Sequence, residues 1–270
     1  MTELLALFDG LRVLLSLVFL FYASWADFKT REVSNKVWAI FGPLAFFLTA
    51  LQYVLLPQDS RPDLLLYYIL PFAVTFVLSF VLFYAGGFGG ADAKALICLS
   101  LALPHYPIHL LQSPIGSISP LFPLSVFINA IFLASFSVVY VLLRNFLWKH
   151  RNKRKLFEGF EKESFGRKIL VLLSGHKVNI TDLEKKSYLI PLEDFDARLE
   201  EKRKLVAIPR DEEREKIVSR LLEARRDGQI EDDVWATPGL PMLVFITAGL
   251  IVALVFGDIL WTILYSILGL

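Results

Sequence analysis

The residues of this chain best suited to chemistry are two carboxylates, Asp27 and Asp92. Each stands at the edge of a long apolar run, and they are far apart in sequence. Two carboxylates brought close together cannot both ionise cheaply, so they share a proton. The ionised one then activates water as a base, while the protonated one polarises a carbonyl as an acid. Such a pair hydrolyses a peptide bond with no metal, no nucleophilic Ser or Cys and no organic cofactor, and the chain offers no constellation for any of these. Each acid also has a plainer reading. Asp27 lies beside Lys29 and Arg31, as an interfacial charge at a helix end would. Asp92 follows a glycine-rich loop, as a helix N-cap would.

That loop, Gly86-Gly87-Phe88-Gly89-Gly90-Ala91, is richer in glycine than a helix connection needs. Glycines permit positive φ and the close approach of a second backbone, such as an extended substrate, which makes Gly89, Gly90 and Ala91 candidate substrate-binding positions. A phosphate cradle would need Gly-x-x-x-x-Gly-Lys-Ser/Thr, which is absent. Lys94, two residues past Asp92, falls on another helix face and is assigned a supporting role. Cys98 is the only cysteine, which excludes an intrachain disulfide and a paired-cysteine zinc site. His105 and His109 are four apart, but Pro107 between them disfavours the regular helix that would align them, so no metal site is expected.

The elements that must hold the acids are membrane helices. Of 270 residues, 55% are hydrophobic, above the roughly 45–50% of soluble domains, and the mean hydropathy is +0.55. Six apolar runs are long enough to be read as spans: Leu4 to Ala26, Val37 to Leu56, Leu64 to Ala85, Ala93 to Leu111, Leu121 to Leu147 and Leu240 to Leu268. Pro104 and Pro107 interrupt the fourth, and Gly257-Asp258 offers a break in the sixth. Pro43 and Pro71 are expected near helix starts, where a missing amide costs least. The first run follows an acidic start, Thr2-Glu3, and has no small-residue cleavage site, so it reads as a first span rather than a removable signal peptide.

Lys and Arg set the orientation. Lys29, Arg31 and Lys36 follow the first run, and Arg144, Lys149, Arg151, Lys153, Arg154 and Lys155 follow the fifth, whereas the opposite connections hold only Arg61. Those basic ends are expected in the cytoplasm and both termini outside. The first run then descends to Asp27 and the fourth ascends from Asp92, so both acids reach the cytoplasmic face. The expected fold is an all-α integral membrane protein of six transmembrane helices with a small mixed cytoplasmic insert. Its divisions are 1–147, 148–236 (the insert) and 237–270.

Within the insert, Lys168 to Ile180 suits a short strand pair or a buried helix turn. From Asp211 to Asp227 an amphipathic helix is expected, with Asp211 as N-cap, Ile217, Val218, Leu221 and Leu222 on one face and Gly228 after its end. That face is expected to pack within the insert, the alternative being contact of its basic residues with anionic lipid. Among other polar residues, Asn129 is expected to bond to a neighbouring helix. Asp9 and Asp258 read as interfacial charges, and Arg12 is expected to snorkel outward. The net charge of +1 gives no reason to expect a nucleic-acid partner.

Gly89-Gly90-Ala91-Asp92-Ala93-Lys94 resembles the Gly-x-Gly-Asp motif of the prepilin and preflagellin peptidases, with Ala91 where the motif has glycine. Trp25 to Glu32 resembles their first-aspartate segment. The stretches Phe122 to Asn129, Leu143 to Asn145 and Val234 to Pro241 are similar to the archaeal preflagellin branch. The resemblance implies an aspartic-type endopeptidase with Asp27 and Asp92 as catalytic residues. It would remove the basic leader of preflagellin or type IV prepilin-like precursors at the cytoplasmic membrane face, with those precursors and membrane lipid as partners. Bacterial relatives often add a paired-cysteine zinc module and methyltransferase activity; Cys98 alone cannot supply that module, so peptidase activity alone is expected. The other readings of the same acids are a small proton-coupled transporter and a non-catalytic assembly scaffold.

Overall fold

A computed structural model of the chain describes residues 2–58, 61–63, 65–86, 88–111, 114–196, 203–206 and 214–268. Leu64, Gly87 and Asp211, which figure in the sequence reading, lie outside the described residues. In chain order the elements begin with α1 (Thr2–Thr30), α2 (Asn35–Leu55), a π-helical turn (Leu65–Ile69), α3 (Leu70–Tyr84), α4 (Gly90–Ala102) and α5 (Phe122–Asn152). There follow α6 (Phe165–Ser174), β1 (His176–Asn179), α7 (Ile180–Lys185), β2 (Ile190–Pro191), β3 (Glu193–Phe195), β4 (Arg203–Leu205), α8 (Arg214–Arg226), β5 (Asp233–Thr237), α9 (Met242–Phe256) and α10 (Ile259–Leu268). They form two compact units, Met1–Ala134 with Pro241–Leu270, and Ser135–Leu240.

The first unit is helical. The stretches Glu3–Thr30, Asn35–Leu55, Leu66–Tyr84 and Phe122–Asn152 are each long and apolar enough to cross a bilayer. Large apolar side chains such as Phe21, Phe46, Phe47 and Phe80 stand exposed on them, as lipid-facing residues do. These are the helices of a membrane protein. At the centre lies α4, packed by α1, α2, α3 and α9. Its buried face is mostly small, with Ala93, Ala95, Cys98 and Ala102, so the neighbouring backbones approach closely.

The fourth apolar run is shorter as a helix than the sequence suggests. It stops at Ala102 after 13 residues, which at 1.5 Å per residue is roughly 20 Å. The backbone beyond it is irregular because Pro104 and Pro107 cannot donate to a helix, and it is buried in protein instead: Leu103 and Tyr106 join the core, and the Tyr106 hydroxyl donates to the Leu254 carbonyl at 2.7 Å. The sixth run is two helices, α9 and α10, broken at Gly257-Asp258. At this break Gly116 donates to the Phe256 carbonyl at 3.0 Å and Asp258 to the Ser117 carbonyl at 2.9 Å. Asn129 seals both sides, donating to the Gly257 carbonyl at 2.8 Å and accepting from the Ile259 amide at 3.1 Å. Gly257 has φ +75, where a side chain would be strained.

Four expectations about single residues are corrected. Asp258 is fully buried and acts as a cap rather than an interfacial charge, accepting from the Trp261 amide and the Ser125 hydroxyl. Asp9 and Arg12 are also buried and form an ion pair. Gln52 Nε2 and the His109 amide complete the Asp9 shell, each at 3.1 Å. A charge pair inside the bundle neutralises itself, so Arg12 has no need to snorkel. Pro43 lies inside α2 rather than in its first turn, whereas Pro71 does sit at the start of α3.

The second unit carries the end of α5 and the small mixed fold. Strands β1, β5 and β2 form an antiparallel sheet in that order, and β3 pairs with β4. In register, His176 opposes Ala236 and Val178 opposes Val234. Helix α8 buries Ile217, Val218 and Leu221, with Leu222 packed beside them, against Val178, Ile180 and Val234. Its apolar face thus packs within the insert, and Gly228 (φ +67) follows its end. Lys168 to Ile180 is neither a strand pair nor a single helix turn. It runs from α6 through Gly175 into β1, because at Gly175 any Cβ would come within 2.8 Å of the Ala236 carbonyl and only glycine lets the chain drop onto the sheet.

Candidate active site

Asp27 occupies the last turn of α1 and Asp92 the first turn of α4, and these helices pack together. Asp27 is half-buried and Asp92 is buried. Neither helix end is accidental. Helix α1 closes with Arg31 in a left-handed turn (φ 59), its amide bonded to the Asp27 carbonyl at 3.0 Å, and the Thr30 hydroxyl donates back to the Ala26 carbonyl at 2.9 Å. Helix α4 opens after Gly89, whose amide donates to Asp92 Oδ2 at 3.0 Å. This is half of a capping box, since glycine has no side chain to reciprocate. Asp92 is therefore not the N-cap of its plainer reading, a place that Gly89 takes; it caps the helix start from the third helical position.

The glycine loop does less with its freedom than its composition suggests. Among its described glycines only Gly86 has positive φ. Gly89 is extended, but a Cβ there would lie 3.1 Å from Asp92 Oδ2, so its constraint is space beside the carboxylate. Gly90 and Ala91 are already helical. Alanine at 91 thus fits without strain, because a helical position needs no positive φ and alanine is the best helix former. Phe88 anchors the loop edge-on against Phe127, with ring centroids 5.4 Å apart.

Lys94 points away to α2, where its Nζ donates to Asn35 Oδ1 at 2.7 Å and ties the starts of the two helices. His105, raised and set aside as a metal ligand, stacks on Tyr67 at 3.7 Å between centroids and contacts its carbonyl.

A third element meets the acids that sequence reasoning missed. The amide of Leu243, in the first turn of α9, faces the Asp27 carboxylate. Ser24, one turn before Asp27, fixes this approach: its hydroxyl donates to the Leu243 carbonyl at 2.8 Å and pairs with Thr247 Oγ1 at 2.7 Å. Thr247 Oγ1 also stands 3.2 Å from the Leu20 carbonyl. A helix N-terminus aims free N–H groups and partial positive charge outward, and α9 contributes one such donor, the Leu243 amide, to Asp27. The available signal was Pro241 before an apolar run, a helix-start pattern, but nothing local says which acid that start would meet.

Comparison with known proteins agrees with this architecture. Residues 14–142 match the type IV leader peptidase family, and residues 167–259 match the archaeal peptidase A24 C-terminus type II. The chain belongs to the type IV leader peptidase family and is a protease of the aspartic type. It is similar to the preflagellin peptidase of Methanococcus maripaludis, at 27% identity over 88% of the chain and 92% of that protein. The preflagellin peptidase of Methanocaldococcus jannaschii is 28% identical over 93% of the chain and 96% of its own length. Similarity to the prepilin peptidase EppA of Methanothermobacter thermautotrophicus, at 28%, is confined to 58% of the chain and 40% of that protein. A leader peptidase function follows, in place of the transporter and scaffold readings. The second match runs from within α6 through α9 to the first residue of α10.

Proposed function

We propose that Asp27 and Asp92 are the two catalytic carboxylates, and that the chain removes the leader of preflagellin or prepilin-like precursors at the cytoplasmic face of the membrane. The observation that carries this reading is the packing of α1 against α4, with Asp27 in the last turn of the one and Asp92 in the first turn of the other. One carboxylate, ionised, takes a proton from water while the other, protonated, gives its proton to the scissile carbonyl, and the new C–O bond forms as the carbonyl electrons move onto oxygen. The second acid then takes that proton back as the carbonyl re-forms and the C–N bond breaks, and the departing nitrogen takes the proton the first acid had accepted. The Leu243 amide and Ser24 keep Asp27 in place, and Gly89 keeps space beside Asp92. Gly89, Gly90 and Ala91 border the path of the substrate, and Lys94 supports α4 through Asn35.

In this reading the apolar stretches form six spans, counting α9 and α10 as one broken span, with the divisions 1–147, 148–236 and 237–270. The Lys and Arg bias puts the acids and the insert in the cytoplasm and both termini outside. A precursor with a basic leader before an apolar helix suits this site, since its helix can lie in the bilayer while the scissile bond stays at the interface.

Co-expression with an epitope-tagged preflagellin or prepilin tests the proposal. Leader removal should be complete with wild type and fall by about 10²–10⁴-fold, the usual worth of acid–base groups, with either Asp27→Asn or Asp92→Asn at equal expression. Full cleavage by either variant would sink the assignment of the dyad.

A further inference from the structure

In the Ser135–Leu240 unit, α6 has apolar side chains on both of its sides. One side packs inward: Val171 and Leu172 join Phe160, Leu192, Leu205 and Trp235 in a small core. The other bears Phe165, Ile169 and Leu173 at i, i+4 and i+8, with Leu170 flanking them. All four are exposed, Phe165 at 79% and Leu170 at 54%. Four large apolar side chains exposed together on a helix of ten residues are ordinarily covered by something.

What lies against the second side follows from where α6 is fastened. The buried Asn145 of α5 donates to the carbonyls of Leu172 at 3.2 Å and Gly175 at 2.8 Å, which pins the C-terminal end of α6 to α5. Around Asn145, α5 exposes Leu143, Phe146 and Leu147 and passes into Trp148, Lys149 and Arg151. Exposed apolar residues giving way to Trp, Lys and Arg mark the point where a spanning helix leaves the hydrocarbon. The pinned end of α6 therefore stands at the height of the membrane surface. Beyond Asn145 the chain carries the exposed cations Lys149, Arg151, Lys153 and Lys155, and α6 itself carries Arg167, held by Glu163 at 2.8 Å.

We propose that α6 is an interfacial helix, with Phe165, Ile169, Leu170 and Leu173 sunk into the headgroup–acyl boundary of an anionic bilayer, so that the insert is held against the membrane rather than free beyond it. An apolar face continuous with the lipid-facing end of α5, rimmed by Lys and Arg, has the chemistry of such a surface. The inference rests on α5 and α6 alone and does not depend on the assignment of the catalytic acids.

The test uses the full chain in vesicles of phosphatidylcholine and phosphatidylglycerol. In a Cys98→Ala background, an environment-sensitive fluorophore is attached through Leu170→Cys or, as a control on the exposed side of α8, through Lys216→Cys. Lipid-borne spin label should quench the fluorophore at position 170 and aqueous iodide should not. The ratio of the two should exceed that at position 216 by about tenfold, given a burial depth of roughly 5–10 Å. The unmodified chain provides the second measurement: a phospholipid with a photoactivatable acyl chain should leave adducts on residues 165–173. Iodide quenching at 170 equal to that at 216, or adducts confined to the spanning helices, would overturn the proposal. Adducts on 165–173 that vanish when phosphatidylglycerol is omitted would support both the position and the charge dependence.

Discussion

Gly89 is the residue whose constraint is most local. It is extended rather than left-handed, so its backbone could accept other residues, but a Cβ would stand 3.1 Å from Asp92 Oδ2. Gly89→Val is therefore expected to displace the carboxylate and reduce leader removal by about 10²-fold, the usual effect of misplacing a reacting group by about 1 Å. Ala91→Gly, in contrast, should leave cleavage nearly unchanged and lower stability by about 1 kcal/mol, because it adds backbone entropy to a helical position. A time course of precursor processing together with thermal unfolding in detergent separates the two. Asp9 carries a different burden. It neutralises buried Arg12, so Asp9→Ala would strand a cation inside the bundle and should destabilise the fold by about 3–5 kcal/mol. Unfolding of the α1–α2 region by denaturant in mixed micelles measures this, and a variant as stable as wild type would show the pair to be dispensable.

At the scale of elements, the break between α9 and α10 and the close approach of α9 to α5 both fall on one stretch of α5, Ser125 to Ala130. Gly249 lies so close to α5 that a Cβ would come within 2.5 Å of the Val126 carbonyl and 2.9 Å of the Ala130 amide. Backbone atoms cannot move aside as a side chain can, so Gly249→Ala should cost about 1–3 kcal/mol through overpacking. Since α9 also brings the Leu243 amide to Asp27, the substitution should lower the processing rate at temperatures well below its melting point. A variant with reduced stability and an unchanged rate would argue that α9 only braces the bundle. The sequence announced this element as an apolar run with a break, and Asn129 as a residue that bonds to another helix. It did not announce that Asn129 spans the break from both sides, because that depends on where the chain returns at Gly257, 128 residues further on.

For the whole molecule, pH acts on the insert through His176. Burial, with a smaller contribution from the nearby Arg144 guanidinium, lowers its pKa from 6.5 to about 4. The folded insert thus holds the ring neutral while the unfolded chain can protonate it below pH 6.5. Stability is undiminished above that value and falls as the pH drops toward 4, at no more than about 1.4 kcal/mol per pH unit. Below pH 4 both states are protonated and this contribution stops changing. His176→Gln should flatten the decline between pH 6.5 and 4, followed by the fluorescence of Trp148 and Trp235 during denaturant unfolding of the full chain. An equally steep decline in the variant would move the effect to other groups.

What the sequence determined by itself is what local chemistry encodes. Apolar length marked the membrane helices, the flanking Lys and Arg gave an expected orientation, the period of Ile217, Val218 and Leu221 marked α8, and the glycines before Asp92 singled out that acid. Each of these is read within one turn or one span of chain. The tertiary structure decided whatever depends on distant segments meeting: Asp9 and Asp258 buried rather than interfacial, α4 ending at Ala102 with its following backbone sheltered in the core, and the amide of Leu243 facing Asp27 from the other end of the chain. The physical reason is the same in each case. A buried polar group is defined by the partners that replace water around it, and those partners are supplied by packing, on which a single segment of sequence carries no information.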